Sequence, residues 1–136
     1  MPTFTCRGCA ALCEGRRLRI YCSLRCQREY EQTQLVALWL ATGQANAGSG
    51  RRHYVRRHVL REQSGLCAIC GSPPEWLGSP LAFVLDHIDG DSSNNVRANL
   101  RLVCSNCDSQ LPTYKNRNRG AGRHYRRERY RDGRSY

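Results

Sequence analysis

Lysine is almost missing from this chain. Lys115 is the only one among 22 basic residues, so nearly all the positive charge sits on arginine. Arginine presents a planar fork of donors that matches phosphate oxygens two at a time. Acidic residues number 11, which leaves a formal charge of +11 and points to a polyanionic partner. Long apolar runs are missing too. The longest, Leu35-Val36-Ala37-Leu38-Trp39-Leu40-Ala41, falls far short of the roughly 20 residues a membrane span needs. No signal-peptide pattern opens the chain, and its nine cysteines are odd in number. Both features oppose a secreted disulfide framework and favour a reducing, cytoplasmic setting. A calcium loop of the EF-hand kind is excluded by spacing, because Gly90 comes one place too early and Arg97 stands at the twelfth position.

What the chain has in excess is cysteine. The residues fall as Cys6-x-x-Cys9, Cys13, Cys22-x-x-x-Cys26, Cys67-x-x-Cys70 and Cys104-x-x-Cys107. Close-set pairs of this kind suit tetrahedral thiolate sites, where two pairs converge on one ion. The expected ligand sets are Cys6, Cys9, Cys22 and Cys26 for one zinc, and Cys67, Cys70, Cys104 and Cys107 for a second. Cys13 is left over, either as a spare thiol or as a competitor of Cys9. A unit over residues 3–31 with four thiolates and almost no apolar core would owe its fold to the ion.

Organisation follows from periodicity and composition. A helix is expected from Ser23 to about Thr42, stopped by Gly43, with its apolar stretch packed on the rest of the protein. Residues 43–51 read as a flexible linker. A second helix is expected from Arg52 to about Ser64, with Val55 and Val59 four apart. His53 and His58 read as exposed histidines of a basic helix. Ser72 to Pro80 is a proline-rich loop, Ala82–Leu85 a buried strand leading into Asp86-His87, and Leu100–Val103 a second strand. Asp89, Asp91, Asn94 and Asn95 read as turn formers between the strands. A short helix is expected to begin at Asp108. This divides the chain into residues 1–42, a linker at 43–51, a domain at 52–116 and an arginine-rich tail at 117–136.

Residues 52 to 124 resemble the HNH endonucleases, especially their phage-type branch. The resemblance is carried by Cys67-x-x-Cys70, Leu85-Asp86-His87-Ile88-Asp89-Gly90-Asp91, Asn94-Asn95, Asn99-Leu100-Arg101, Cys104-x-x-Cys107 and Ser109-Gln110 through Thr113-Tyr114 to Asn118. It implies a small α+β protein, a ββα-metal (HNH) nuclease fold stapled by a four-cysteine zinc site. A small four-cysteine zinc finger and a helix would stand in front of it. The resemblance also implies His87 as the general base, Asp86 as a ligand of a catalytic Mg²⁺ or Mn²⁺, and Asn99 as the residue that holds the loop and orients the base. One position departs from the family. Asp108 stands where a third histidine is usual, and as a carboxylate it is expected to take over as metal ligand.

The implied partner is DNA, gripped through phosphate by Arg52, Arg56, Arg57, Arg117, Arg119, Arg123, Arg126 and Arg127. Neither a target sequence nor an oligomeric state can be read from these residues. A non-catalytic zinc module that binds DNA or RNA also accounts for the cysteines and arginines, but it gives Asp86-His87 and Asn99 no role. A phage DNA-packaging accessory is a further alternative.

Overall fold

The computed structural model describes residues 1–46, Gly50, residues 52–114 and Arg131. In chain order the elements are β1 (Thr3–Thr5), β2 (Leu12–Glu14), α1 (Leu24–Thr42), α2 (Tyr54–Glu62), β3 (Glu75–Trp76), β4 (Ser79–Pro80), β5 (Val84–His87), β6 (Leu100–Val103) and α3 (Ser105–Ser109). The protein is a small α+β structure. Among the described residues the strands form three separate antiparallel pairs, β1 with β2, β3 with β4 and β5 with β6.

The long helix α1 lies where the sequence places it. Ser23 has extended backbone and its hydroxyl accepts the Cys26 N–H at 3.1 Å, satisfying one of the donors that a helix start leaves open. Gly43 closes the other end with φ +72°, and its N–H bonds the Trp39 carbonyl at 2.7 Å. A side chain there would also meet Val96 Cγ1 at 2.8 Å, so glycine is required twice over. Helix α2 is shorter than expected. His53 is extended and caps it, its Nδ1 accepting the Val55 N–H at 3.3 Å, so the helix cannot begin at Arg52. Neither histidine on this segment is an exposed one. His53 stacks on Tyr54, and His58 lies half-buried, edge-on to Trp39 and paired with Glu62.

The core gathers Trp39 of α1, Tyr54, Val55 and Val59 of α2, Phe83, and Leu100, Leu102 and Val103 of β6, with Cys67 and Cys104 at its edge. The helical period explains which part of the apolar stretch enters it. Leu35, Val36 and Trp39 share a side and pack inward, whereas Leu38 and Leu40 fall on the other side and stay exposed. The chain after Gly43 is tied to the same core. Ala45 packs against it, and Asn46 bonds the Tyr54 hydroxyl through its N–H (2.8 Å) and His53 through its carbonyl (3.0 Å).

The strand leading into Asp86-His87 starts two residues later than expected and contains both of them. Val84 pairs with Val103, Leu85 with Leu102, Asp86 with Arg101 and His87 with Leu100. Arg101 stands directly across from Asp86 and its Nε bonds Oδ2 at 2.7 Å, so the carboxylate is tolerated inside the ladder. The free edge of β6 is covered by Gln63, whose side chain both accepts the Leu102 N–H (2.8 Å) and donates to the Leu102 carbonyl (2.9 Å). The proline-rich segment is not a plain loop. It holds the β3–β4 hairpin, turning through Leu77 and Gly78 at φ +50° and +78°, values that match the twist of a tight hairpin. Helix α3 starts at Ser105, inside the last cysteine pair, and packs on β5.

Candidate metal centres and the strand-end site

Two sets of cysteines converge as the spacing predicts. Cys6, Cys9, Cys22 and Cys26 form one, Cys67, Cys70, Cys104 and Cys107 the other, and within each set all ligand atoms lie within 4.8 Å of one another. A tetrahedral zinc with Zn–S bonds of about 2.3 Å needs sulfurs about 3.8 Å apart. The Cys6–Cys26, Cys9–Cys22 and Cys70–Cys104 separations are 3.5, 3.8 and 3.7 Å. All nine cysteines are free thiols. Cys13 stays out of the first set, because β2 holds it opposite Phe4 and its thiol bonds the Ala11 carbonyl. Cys9 is therefore the ligand and Cys13 the spare.

The local backbone is built to stabilise thiolates. N–H groups from Cys9 and Cys22 point at Cys6 and bring its thiol from 9.0 down to about 6. The side chain of Cys6 in turn pushes Cys26 up to about 12. The second set repeats the scheme. Burial opposes ionisation of Cys67, but N–H groups of Cys70, Cys104 and Ile69 outweigh it and bring this thiol to about 6. Contact with Cys104 pushes Cys107 up to about 12. Each set thus holds at least one sulfur that ionises readily and one that keeps its proton more tightly. A dication replacing those protons fits both, and with four protein ligands it leaves no open position for chemistry.

Asp86 and His87 end β5. Asp86 is 7% exposed and bonded to Arg101. His87 is half-buried, and its Nε2 lies 2.9 Å from Asn95 Oδ1. The Asn95 amide nitrogen faces the Ser93 carbonyl, which leaves Oδ1 for the imidazole. Nε2 then carries the proton and Nδ1 is the basic nitrogen. Asn95 is therefore more than the turn former its composition suggests. Its carbonyl accepts the Trp39 indole N–H at 2.6 Å, so the residue facing His87 is anchored by α1.

Asn99 staples the loop between the strands. Its Nδ2 donates to Asp89 Oδ1 (2.9 Å) and to the Asn94 carbonyl (2.8 Å), and its Oδ1 accepts the Asp89 N–H (3.0 Å). Asn94, the Asp91 N–H and Asn99 all donate to Asp89 and hold its carboxyl below the usual range. The two roles expected of Asn99 are divided in the structure. Asn99 holds the loop, and Asn95 orients His87.

Asp108 lies half-buried on α3, its N–H bonded to the Cys104 carbonyl at 2.9 Å. Among the described residues the cysteine sets are the two places where three or more histidine, cysteine or acidic ligands converge, and Asp86, His87 and Asp108 do not form a third. Of the expected phosphate contacts, Arg52 is exposed, Arg56 is half-buried and donates to the Phe83 carbonyl, and Arg57 bonds Gln32 of α1. Arg117, Arg119, Arg123, Arg126 and Arg127 lie outside the described residues.

The sequence assigns no role to three further exposed arginines. Arg16, Arg17 and Arg19 are exposed in the loop after β2, and among the described residues no acid or acceptor pairs with their side chains. The signal lies in the run Arg16-Arg17-Leu18-Arg19-Ile20, in which two aliphatic residues accompany three charges. No helix of the described residues is long and apolar enough to cross a membrane. No protein-family model, curated protein or solved structure matches the chain.

Proposed function

We propose that the chain is a DNA endonuclease of the HNH type, held together by two structural zinc ions and dependent on a separate Mg²⁺ or Mn²⁺ for cleavage. The observation that carries this reading is the presentation of His87. It ends a strand beside a carboxylate, with Nε2 engaged by Asn95 and Nδ1 left as a base. A neutral imidazole can take a proton from water as a general base. The water oxygen then bonds to phosphorus as the bond to the 3′ oxygen breaks, leaving a 5′ phosphate and a 3′ hydroxyl. In this reading Asp86 and Asp108 would be the hard oxygen donors for the divalent cation, which requires that Asp86 exchange Arg101 for the ion and that the two carboxylates be drawn together around it. Its charge would offset that growing on the phosphate. One such site cuts one strand, so a single copy nicks.

The test is incubation of supercoiled plasmid with the protein under Mg²⁺, Mn²⁺ or no added divalent ion. Metal-dependent conversion to the nicked circle is expected. In His87→Ala the rate should drop by about 100-fold or more, the usual scale of general-base catalysis. Equal traces of nicking in the two proteins would sink the reading.

A second reading is favoured by the Arg101–Asp86 bond. An arginine on the would-be metal ligand suits a zinc module that binds nucleic acid without cutting it. It predicts DNA binding with no metal-dependent nicking at any divalent concentration.

A further inference from the structure

Five arginines of the described residues help to hold the structure together: Arg101 on Asp86, Arg97 on Glu62, Arg25 on Glu29, Arg57 on Gln32 and Arg56 on the Phe83 carbonyl. Arg28, Arg52 and Arg61 are exposed and stand singly, without such a bond. Arg16, Arg17 and Arg19 are engaged in none of this. They occupy five consecutive exposed residues with Leu18 and Ile20, which are 74% and 62% exposed. An unpaired arginine gains nothing for the fold, and an exposed leucine or isoleucine adds apolar surface in water. All five side chains are therefore available to a partner.

The loop that carries them is anchored at both ends. The Gly15 N–H bonds the Pro2 carbonyl at 3.2 Å, and the Arg7 N–H bonds the Ile20 carbonyl at 2.8 Å. Two residues on, the Cys22 N–H bonds the Cys6 thiol at 3.3 Å and ties the loop to the first cysteine set. Arg7 itself lies over the Tyr30 ring, 5.4 Å from its centroid. The nearest acid in sequence is Glu14.

We infer that the Arg16–Ile20 loop is a duplex-DNA grip, in which Arg16, Arg17 and Arg19 bind phosphates while Leu18 and Ile20 pack on the sugars between them. Charge selects the partner. Three arginine forks within four residues match a backbone that repeats its phosphates every few ångströms, and phosphate contacts are the usual source of register. The inference rests on reading the chain as a DNA-binding protein. It does not require that the protein cut.

The experiment is fluorescence anisotropy of a labelled duplex of about 20 base pairs, with zinc-loaded protein and no added Mg²⁺, over a salt series. Counterion release sets the slope of log affinity against log salt at about −0.9 per phosphate contact. Arg16→Ser/Arg17→Ser/Arg19→Ser should flatten the slope by about 2.5, while zinc content stays at the wild-type value. Lysine at the same three positions should restore most of the slope, and Leu18→Ser/Ile20→Ser should weaken binding without changing it. An unchanged slope in the triple serine protein, at full zinc content, overturns the inference. So does a wild-type protein that binds phosphatidylserine vesicles through these arginines and leaves the duplex alone. A protein that fails to nick plasmid but loses slope as stated defeats the nuclease reading and leaves the loop assignment standing. Nicking with an unchanged slope does the reverse.

Discussion

Gly8 shows how much a single position can decide. A methyl group at its Cα would lie 2.6 Å from Cys26 Sγ and 2.9 Å from the Cys26 carbonyl oxygen. Neither neighbour can yield, since one is a ligand of the first cysteine set and the other is backbone of α1. Gly8→Ala should therefore lose the first zinc while keeping the second. Metal analysis of the purified protein is expected to fall from about two ions per chain to about one, in line with four-cysteine sites. Two ions retained would show that the knuckle opens more easily than its packing indicates. His87 and Asn95 make a related point. The residue type announces a base, but which nitrogen is basic depends on a partner eight positions away.

At the level of elements, α1 is the best-specified piece. Its cap, its stop and its apolar side are all local properties, and Ser23, Gly43 and the Leu35–Val36–Trp39 face carry them. Ser23→Ala removes the acceptor for the Cys26 N–H at a cost of about 1 kcal/mol. Amide exchange of Cys26 and Gln27 should then speed up about fivefold, the factor that about 1 kcal/mol corresponds to. Exchange at the wild-type rate would assign the start of the helix to the metal alone. The β5–β6 pair is legible only in part. Leu100–Val103 alternates and can be read at its observed bounds. Asp86-His87 reads as the exit from a strand, because a buried carboxylate in a ladder is costly until its partner is known. That partner, Arg101, is brought opposite by the pairing register. The β3–β4 hairpin is hidden in the sequence because its turn contains Leu77, a residue seldom found at positive φ.

The molecule as a whole is joined through Trp39. Its ring is 0% exposed at the centre of the shared core, and its indole N–H bonds the Asn95 carbonyl. Trp39→Ala removes both, at a cost of about 3–5 kcal/mol typical of a buried aromatic. For a chain of this size that lowers the melting temperature by roughly 10 °C or more. The prediction goes further than stability, because Asn95 is the partner of His87. The imidazole resonances of His87 should broaden or shift in Trp39→Ala at temperatures where the variant is still folded. Unchanged resonances would mean that the loop keeps Asn95 in place without α1.

What the sequence determines by itself is chemistry that depends on near neighbours: paired thiols three or four residues apart, a capped helix, an arginine-rich surface and an Asp-His pair beside a strand. The two cysteine sets could be paired correctly from spacing, since such short gaps direct both sulfurs of a pair to one ion. What only the tertiary structure decided involves residues far apart in the chain. Arg101 was assigned to Asp86, Asn95 to His87 and Asn99 to the loop. Arg56 and Arg57 were drawn into structural bonds, while Arg16, Arg17 and Arg19 were left unpaired and exposed. An arginine looks the same in sequence whether an acceptor awaits it or not. The acceptor is supplied by packing, so which arginines are engaged by the fold and which stay exposed could be told apart only once the chain had folded.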